Sequence, residues 1–424
     1  MIDVAIPVAF LWALRWALFL GPLVATLALG YRHRHDKRRL IGGLFAFLYG
    51  LGLIFVMHQL AMALGWWRYG GNVLMLMGLP ADIWLGGALL FGPALYFAFP
   101  SITPLLLTLP IAVGLHGTVF SSLKPFVWAG EGWFVGVVLV FAVAHIPAIY
   151  LAKWTARNEN LALRATLLAV GYGCLAFAVL PSLIIHSLGG SWSLGTRPPW
   201  LLAACAPCFV LCMVMGLSAV QFFVIEGQGT PIPLDPTQRL VRTGLFAYVT
   251  NPMQLCTALA WIVMGVALGN FWVASASIMA WVFVQGMVRW HHRNDLLIRF
   301  PEGWPEYRAH VPEWLPRWHP WVQERSQTAY DPASVAHRWI VAWLQRRQPS
   351  SLDFVATPGT QTLSYRENDM SPPFTGVAAV AKAFNRINFP FALMGATILL
   401  VVLPSRWIIS LAKTRKSAAV AGHG

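Results

Sequence analysis

Long runs without a single Asp, Glu, Lys or Arg constrain this chain most. Leu40 to Trp67, Ala165 to Thr196 and Trp200 to Ile225 are all free of such charges. Each exceeds the roughly 20 apolar residues that a helix needs to cross a hydrocarbon core. Only 11% of the 424 residues are charged, against about 25% in soluble proteins, so most of the surface is not built to face water. The lipid bilayer is the first partner the sequence implies. The net charge of +14 does not mark a nucleic-acid binder. The basic residues lie in short loops between apolar runs, where membrane proteins hold them on the cytoplasmic side, and no nucleic-acid motif accompanies them.

Nine spans are expected, at about 4–30, 40–65, 80–100, 102–122, 132–152, 163–187, 200–224, 252–269 and 271–290. The loop 31–39, YRHRHDKRR, carries five Lys/Arg and one Asp, which puts it on the cytoplasmic side. Counting onward places 153–164, 226–250 and everything after 290 on that side as well, with an outside N-terminus. The first segment starts without a charged leader region, so no cleavable signal peptide is expected. Arg15 and Asp82 fall inside spans, where charges are rare. They either pair with each other, or Arg15 snorkels to the interface. The five cysteines all fall in or beside apolar runs. Cys205-Ala-Pro-Cys208 has redox spacing but lies inside a hydrophobic helix, where small residues serve packing. No zinc spacing occurs and no metal site is expected.

Beyond residue 291 the composition turns to Trp, Pro, Arg and His. QTAYD is strand-like, VAHRWIVAWLQRR helical, LDFVA strand-like and VAAVAKAFNRI helical. A small α/β unit over 326–384 follows from this alternation. The apolar stretch Phe389 to Leu403 is short for a span and ends at Pro404, which suits a packed or interfacial helix.

The segment Glu226 to Pro320 carries the chemistry. Gly227, Gly229, Pro231, Pro233 and Pro236 dictate a long non-helical loop at the end of a span. Pro252 stands at the start of the next span, where its missing N–H costs nothing. Gly269-Asn270 joins the following apolar runs into a hairpin. That hairpin returns Trp304, Tyr307 and Trp314 to the same face, so a polar cavity is expected there, where a polar cofactor can meet a lipid-soluble substrate.

This region resembles the isoprenylcysteine carboxyl methyltransferase and phospholipid methyltransferase superfamily. Members show a GxGTPxPxDPPxxLVxxGPYRYVRNPMY-type segment, a hairpin, two adjacent glutamates and a Leu, then FGxxYxxYxxxVPRWxPR. Gly227, Gly229, Thr230, Pro231, Pro233, Asp235, Pro236, Leu240, Val241, Gly244, Tyr248, Val249, Asn251, Pro252 and Met253 match the first part. Leu296, Phe300, Tyr307, Val311, Pro312, Trp314 and Pro316 match the second. The resemblance implies an S-adenosylmethionine pocket bounded by Tyr248, Asn251 and Gln254 on one wall and Asp295 and Tyr307 on the other. Asn251, Gln254 and His292 would stand nearest the reacting groups, and the substrate would be lipophilic, of isoprenoid or lipid type. The chain also departs from the pattern. The family's Arg before Asn-Pro is Thr250, its Tyr after the Met is Gln254, and its two glutamates fall on His292 and Arg293. Asp295 is the one carboxylate placed to substitute.

The tail, from YDPASVAHRWIVAWLQRR through LDF, LSYRE and TGVAAVAKAFNRI to PSRWIISLAKTRK, is similar to the thioredoxin-like DCC family, which opens YDGxCxxC. Tyr330 and Asp331 match; Ser334 and His337 stand where the cysteines belong. Thiol exchange needs a thiolate, so the tail would serve as a cytoplasmic docking module for a protein partner. WWRYGGNVLMLMGLPADIWLGGALLFGP in the first half resembles membrane proteins of carotenoid metabolism, which implies an isoprenoid-like substrate. The expected architecture is an all-α polytopic membrane protein with a small C-terminal cytoplasmic α/β thioredoxin-like unit. Its parts are 1–160, N-terminal membrane helices; 161–325, methyltransferase-like; and 326–424, degenerate thioredoxin-like. The alternative to a membrane methyltransferase is a non-catalytic scaffold or accessory subunit derived from one.

Overall fold

The computed structural model describes residues 7–70, 74–114, 124, 126–368 and 372–403. The chain divides into two compact units, Met1–Trp192 and Ser193–Gly424. This division differs from the three expected parts. The helix Leu161–Leu188 belongs to the first unit, and the α/β tail lies in the same unit as the segment 226–320.

Six helices among the described residues are long and apolar enough to cross a bilayer, which marks an integral membrane protein. In the first unit these are α1 (Val8–Arg32), α2 (Lys37–Ala63), α5 (Trp133–Arg157) and α6 (Leu161–Leu188). Between them lie shorter apolar helices, α3 (Asp82–Ala98) and α4 (Pro104–Gly114). The expected spans at 80–100, 102–122 and 252–269 correspond to such shorter helices. Part of the second, 115–122, lies outside the described residues.

α2 is the hub of this unit, because small residues let its neighbours approach. A Cβ on Gly42 would stand 2.6 Å from the carbonyl oxygen of Ala152 in α5, and one on Gly86 of α3 would stand 2.4 Å from that of Leu18 in α1. Pro147 in α5 has no N–H for the carbonyl of Val143, four residues earlier, and lipid offers no replacement donor. The hydroxyl of Tyr49 on α2 donates to that carbonyl at 2.6 Å. Short strands β1 (Trp67–Tyr69), β2 (Met75–Leu76), β3 (Leu79–Pro80) and β4 (Val127–Ala129) close the loops as two small antiparallel ribbons, β1 with β4 and β2 with β3. Arg15 and Asp82 form a bidentate pair at 2.7 and 2.8 Å, with both side chains 7% exposed. Of the two readings for Arg15, pairing is the one realised.

The second unit starts with α7 (Pro199–Ile225), in which Cys205 and Cys208 are free thiols. It continues through the loop 226–250 into the hairpin of α8 (Pro252–Leu268) and α9 (Phe271–Arg299). Gly269 takes a left-handed conformation, φ 58°, at the end of α8. Asn270 then accepts from the amides of Trp272 and Val273, starting α9, so the hairpin turns at the expected dipeptide. After α10 (Gly303–His310) comes a sheet of β5 (Ser326–Tyr330), β6 (Leu352–Ala356), β7 (Ser364–Arg366) and β8 (Phe374–Thr375), in the order β6-β5-β7-β8. β5 and β6 are parallel and joined through α11 (Val335–Gln345); β7 and β8 add antiparallel. α12 (Val377–Phe384) is buried on both sides. Ala379, Ala383 and Phe384 face the sheet's core with Leu344, Leu363 and Tyr365. Ala378 and Ala381 pack with Ala219 and Phe222 of α7. Phe389–Leu403, α13, is a packed helix in the same cluster, through Leu399. The segment from Pro404 onward lies outside the described residues.

Candidate functional site

The loop 226–250 folds onto its own glycines. The amides of Gln238 and Arg239 both donate to the carbonyl of Gly227, at 2.7 and 3.2 Å, and Thr230 Oγ1 donates to the carbonyl of Asp235 at 2.8 Å. A Cβ on Gly229 would stand 2.4 Å from Thr237 Cα, so no other residue fits there. Gly244 has φ +60°, and a Cβ on it would enter the ring of Phe222. Gly227, Gly229 and Gly244 thus stand where a side chain would collide with its neighbours.

The returning segment closes against this loop. Thr250 N donates to Pro312 O at 2.9 Å, Arg317 N to Tyr248 O at 3.0 Å, and Trp321 N to Ala247 O at 2.9 Å. Trp304, Tyr307 and Val311 form a buried cluster with Leu240, Leu296, Phe300 and Trp321 around them. The two halves of the motif therefore meet, 247–250 against 312–321.

The six expected site residues take different roles within that frame. Tyr248 is fully buried and its hydroxyl donates to the carbonyl of Asn385 at 3.1 Å. Tyr307 is buried and donates to the carbonyl of Phe246 at 2.7 Å. Burial pushes both phenols well above the usual tyrosine range, so both remain donors. The carboxylate of Asp295 is held bidentately by Arg299, four residues on in α9, at 2.8 and 2.5 Å, with His291 at 3.5 Å. The polar ends of these three side chains serve bonds within the protein.

Asn251 and Gln254 are arranged differently. Asn251 is the residue before α8 and is only 4% exposed, yet its Nδ2 is buried with no hydrogen-bond partner among the described residues. Gln254 is half-buried one turn on, on the same side of the helix. The first-turn amides of α8 beside them carry the positive end of the helix dipole. Asn251, Gln254 and the helix start thus present donors with no acceptor, an arrangement suited to a carboxylate or another acceptor oxygen.

Two residues that the sequence reading missed complete the neighbourhood. Arg308 donates to Thr250 Oγ1 at 3.3 Å and pairs with Glu313 at 2.5 Å; Glu313 also meets Arg289 at 3.4 Å. His292 packs its ring on Trp304, centroids 4.5 Å apart, within the electrostatic field of Arg308, Glu313 and Arg289. Arg308 thus brings a guanidinium to the Thr250 hydroxyl. One signal for the Arg308–Glu313 pair lay in the sequence, a basic residue on α10 five positions before an acidic one in the following turn. Comparison with family models, curated proteins and solved structures gives no match to this chain.

Proposed function

We propose that residues 193–424 form a membrane methyltransferase that uses S-adenosylmethionine on a lipophilic acceptor of isoprenoid or lipid type. The observation that carries the reading is the buried Asn251 amide without a partner among the described residues, set at the N-terminal end of α8 beside Gln254. A buried donor left unbonded costs about 1–3 kcal/mol, and a ligand acceptor at that place removes the cost. The amino-acid carboxylate of S-adenosylmethionine fits this donor set. When bound, it supplies a methyl group on a sulfonium, ready for in-line displacement. The chain's part is to hold and exclude. Asn251 Nδ2, Gln254 and the first-turn amides of α8 orient the ligand. Tyr307 locks the two halves of the wall through the carbonyl of Phe246, and Tyr248 ties the loop to the tail through that of Asn385. The Trp304 cluster keeps water out. His292 stands at the rim beside Arg308, placed to receive an anionic acceptor. Alignment of nucleophile and methyl group supplies most of the acceleration such a reaction needs.

The membrane placement belongs to the same reading. Nine crossings require α3, α4 and α8 to span in addition to the six long helices. The basic loops then put the C-terminal half on the cytoplasmic side. The order β6-β5-β7-β8, a βαβ unit followed by an antiparallel hairpin and a helix, supports the thioredoxin-like reading of the tail. With Ser334 and His337 in place of thiols, the tail acts as a docking module for a protein partner.

A second reading, a non-catalytic scaffold, is favoured by the engagement of Tyr248, Tyr307 and Asp295 in internal bonds. Calorimetric titration of S-adenosylmethionine into the detergent-purified full chain separates the two. The methyltransferase reading expects binding in the wild type and its loss in Asn251→Leu at unchanged melting temperature. Absence of binding in the wild type favours the scaffold.

A further inference from the structure

A second site lies in the first unit. Trp12, Arg15, Trp16 and Phe19 of α1 line a cleft with Leu74, Ala81 and Asp82. The cleft encloses about 20 Å³, room for one small group such as the polar end of a chain-like molecule and far below a site for a whole one. Its floor is the Arg15–Asp82 pair, and its walls are apolar. Trp16 and Leu74 are 46% and 49% exposed, and Leu18 and Leu20 are exposed on the same helix. On an apolar spanning helix those faces meet acyl chains, so the cleft opens sideways into the bilayer.

The geometry of the ion pair selects the occupant. Arg15 uses Nε and Nη2 against the two oxygens of Asp82, and its guanidinium lies 5.3 Å from the Phe126 ring centroid. Nη1 has no hydrogen bond among the described residues and is not among the sealed polar atoms. Nη1 therefore keeps both its N–H donors free beside a charge that Asp82 already neutralises. A carboxylate entering here would lose its hydration and meet Asp82, whereas an ammonium would lose its own and meet Arg15. A neutral oxygen that only needs to accept one bond incurs neither cost. We propose that this cleft binds the oxygenated end of a neutral long-chain lipid, an alcohol, aldehyde or ketone, with its apolar body along Trp12, Trp16 and Phe19. The site is independent of the methyltransferase reading, since all its residues lie in the first unit.

Photo-crosslinking tests it with the full chain in lipid nanodiscs. Three probes share one long alkyl chain carrying a diazirine near the head and end in an alcohol, a carboxylate or an ammonium. Mass spectrometry reads labelling of α1 and of the segment around Leu74, at alkaline pH where the acid is ionised. The alcohol is expected to label at least about tenfold more than either charged probe, because an uncompensated charge in this setting costs at least that factor. Asp82→Asn leaves Arg15 unpaired and should turn the preference toward the carboxylate. Trp16→Ala, at a half-exposed position, should keep the melting temperature and lose most of the alcohol labelling; it stands as the test if Asp82→Asn does not fold. Equal labelling by all three probes, an unchanged preference in a folded Asp82→Asn, or wild-type labelling in Trp16→Ala would overturn the proposal.

Discussion

The phenol of Tyr248 donates to the backbone carbonyl of Asn385, 137 positions further along the chain, at 3.1 Å, and its ring packs on Phe389. A residue expected in a cofactor wall thus fastens the end of α12 to the motif loop. The same junction holds Lys382 against Glu226, His319 against the carbonyl of Ile387 at 3.2 Å, and Phe389 N on Trp318 O at 3.0 Å. Tyr248→Phe should keep the ring packing and lose one buried hydrogen bond, leaving a carbonyl unpaired. A cost of about 1–3 kcal/mol is expected, read as a lower melting temperature and faster proteolysis of the tail. S-adenosylmethionine affinity should change by less than about twofold; a large loss of affinity at unchanged stability would return Tyr248 to the ligand wall.

Arg308, Glu313 and Arg289 form a half-exposed ionic group beside Thr250. Glu313→Gln removes the shared anion and leaves two guanidinium groups facing each other next to His292. Stability should fall by about 0.5–1.5 kcal/mol, damped by solvent and salt. In a double-mutant cycle, Arg308→Met with Glu313→Gln should cost less than the sum of the single changes. Strict additivity would show that the pair does not act as a unit.

The buried network of the tail predicts an acid limb. Burial alone would raise the carboxyl pKa of Glu367, but the charges of Lys382 and Arg386 and hydrogen bonds from Tyr365 and Arg386 overcome it, so the net shift is downward. A depressed folded pKa means that this group stabilises above its unfolded value, about 4.3. That contribution is lost as pH falls through the folded value. Melting temperature should therefore drop below about pH 4 in the wild type, and Glu367→Gln should be less stable at neutral pH with a shallower acid decline. An acid limb of unchanged slope in the variant would assign it to other carboxylates.

The sequence made some of this architecture plain and concealed the rest, for physical reasons. Apolar run length placed the helices, and Gly269-Asn270 marked the hairpin through one left-handed residue and one capping side chain. The βαβ alternation of the tail was visible in its side-chain periods. Run length did not separate the six long helices from the 17-residue ones at Asp82–Ala98 and Pro252–Leu268, because adjoining turns are equally apolar. The fate of Asp295 was partly legible, since Arg299 follows at the helical spacing of four. The partners of Tyr248 and Tyr307 were not legible, because both are backbone carbonyls, which every residue carries. The meeting of Arg308 with Thr250 depends on how a hairpin and a short helix bring back a segment 58 positions away.

The turn from β5 into α11 gives the last prediction. Ser334 precedes α11 and its hydroxyl accepts from His337 N at 3.4 Å, while His337 Nδ1 accepts from Asp331 N at 3.2 Å. Asp331 also accepts from Ala333 N at 2.9 Å. Ser334 and His337 therefore cap the helix and tie its first turn to the strand. Neither offers a sulfur, so the wild-type tail should show no thiol–disulfide exchange. Ser334→Ala should cost about 1 kcal/mol through the lost cap. The paired change Ser334→Cys with His337→Cys sets two thiols one turn apart at a helix N-terminus, which lowers thiol pKa values. It should yield a reducible bridge, detected by differential alkylation and mass spectrometry, with the five native cysteines unchanged between wild type and variant. Two thiols that stay reduced under mild oxidation in a folded variant would show that this turn does not hold the geometry of a dithiol site.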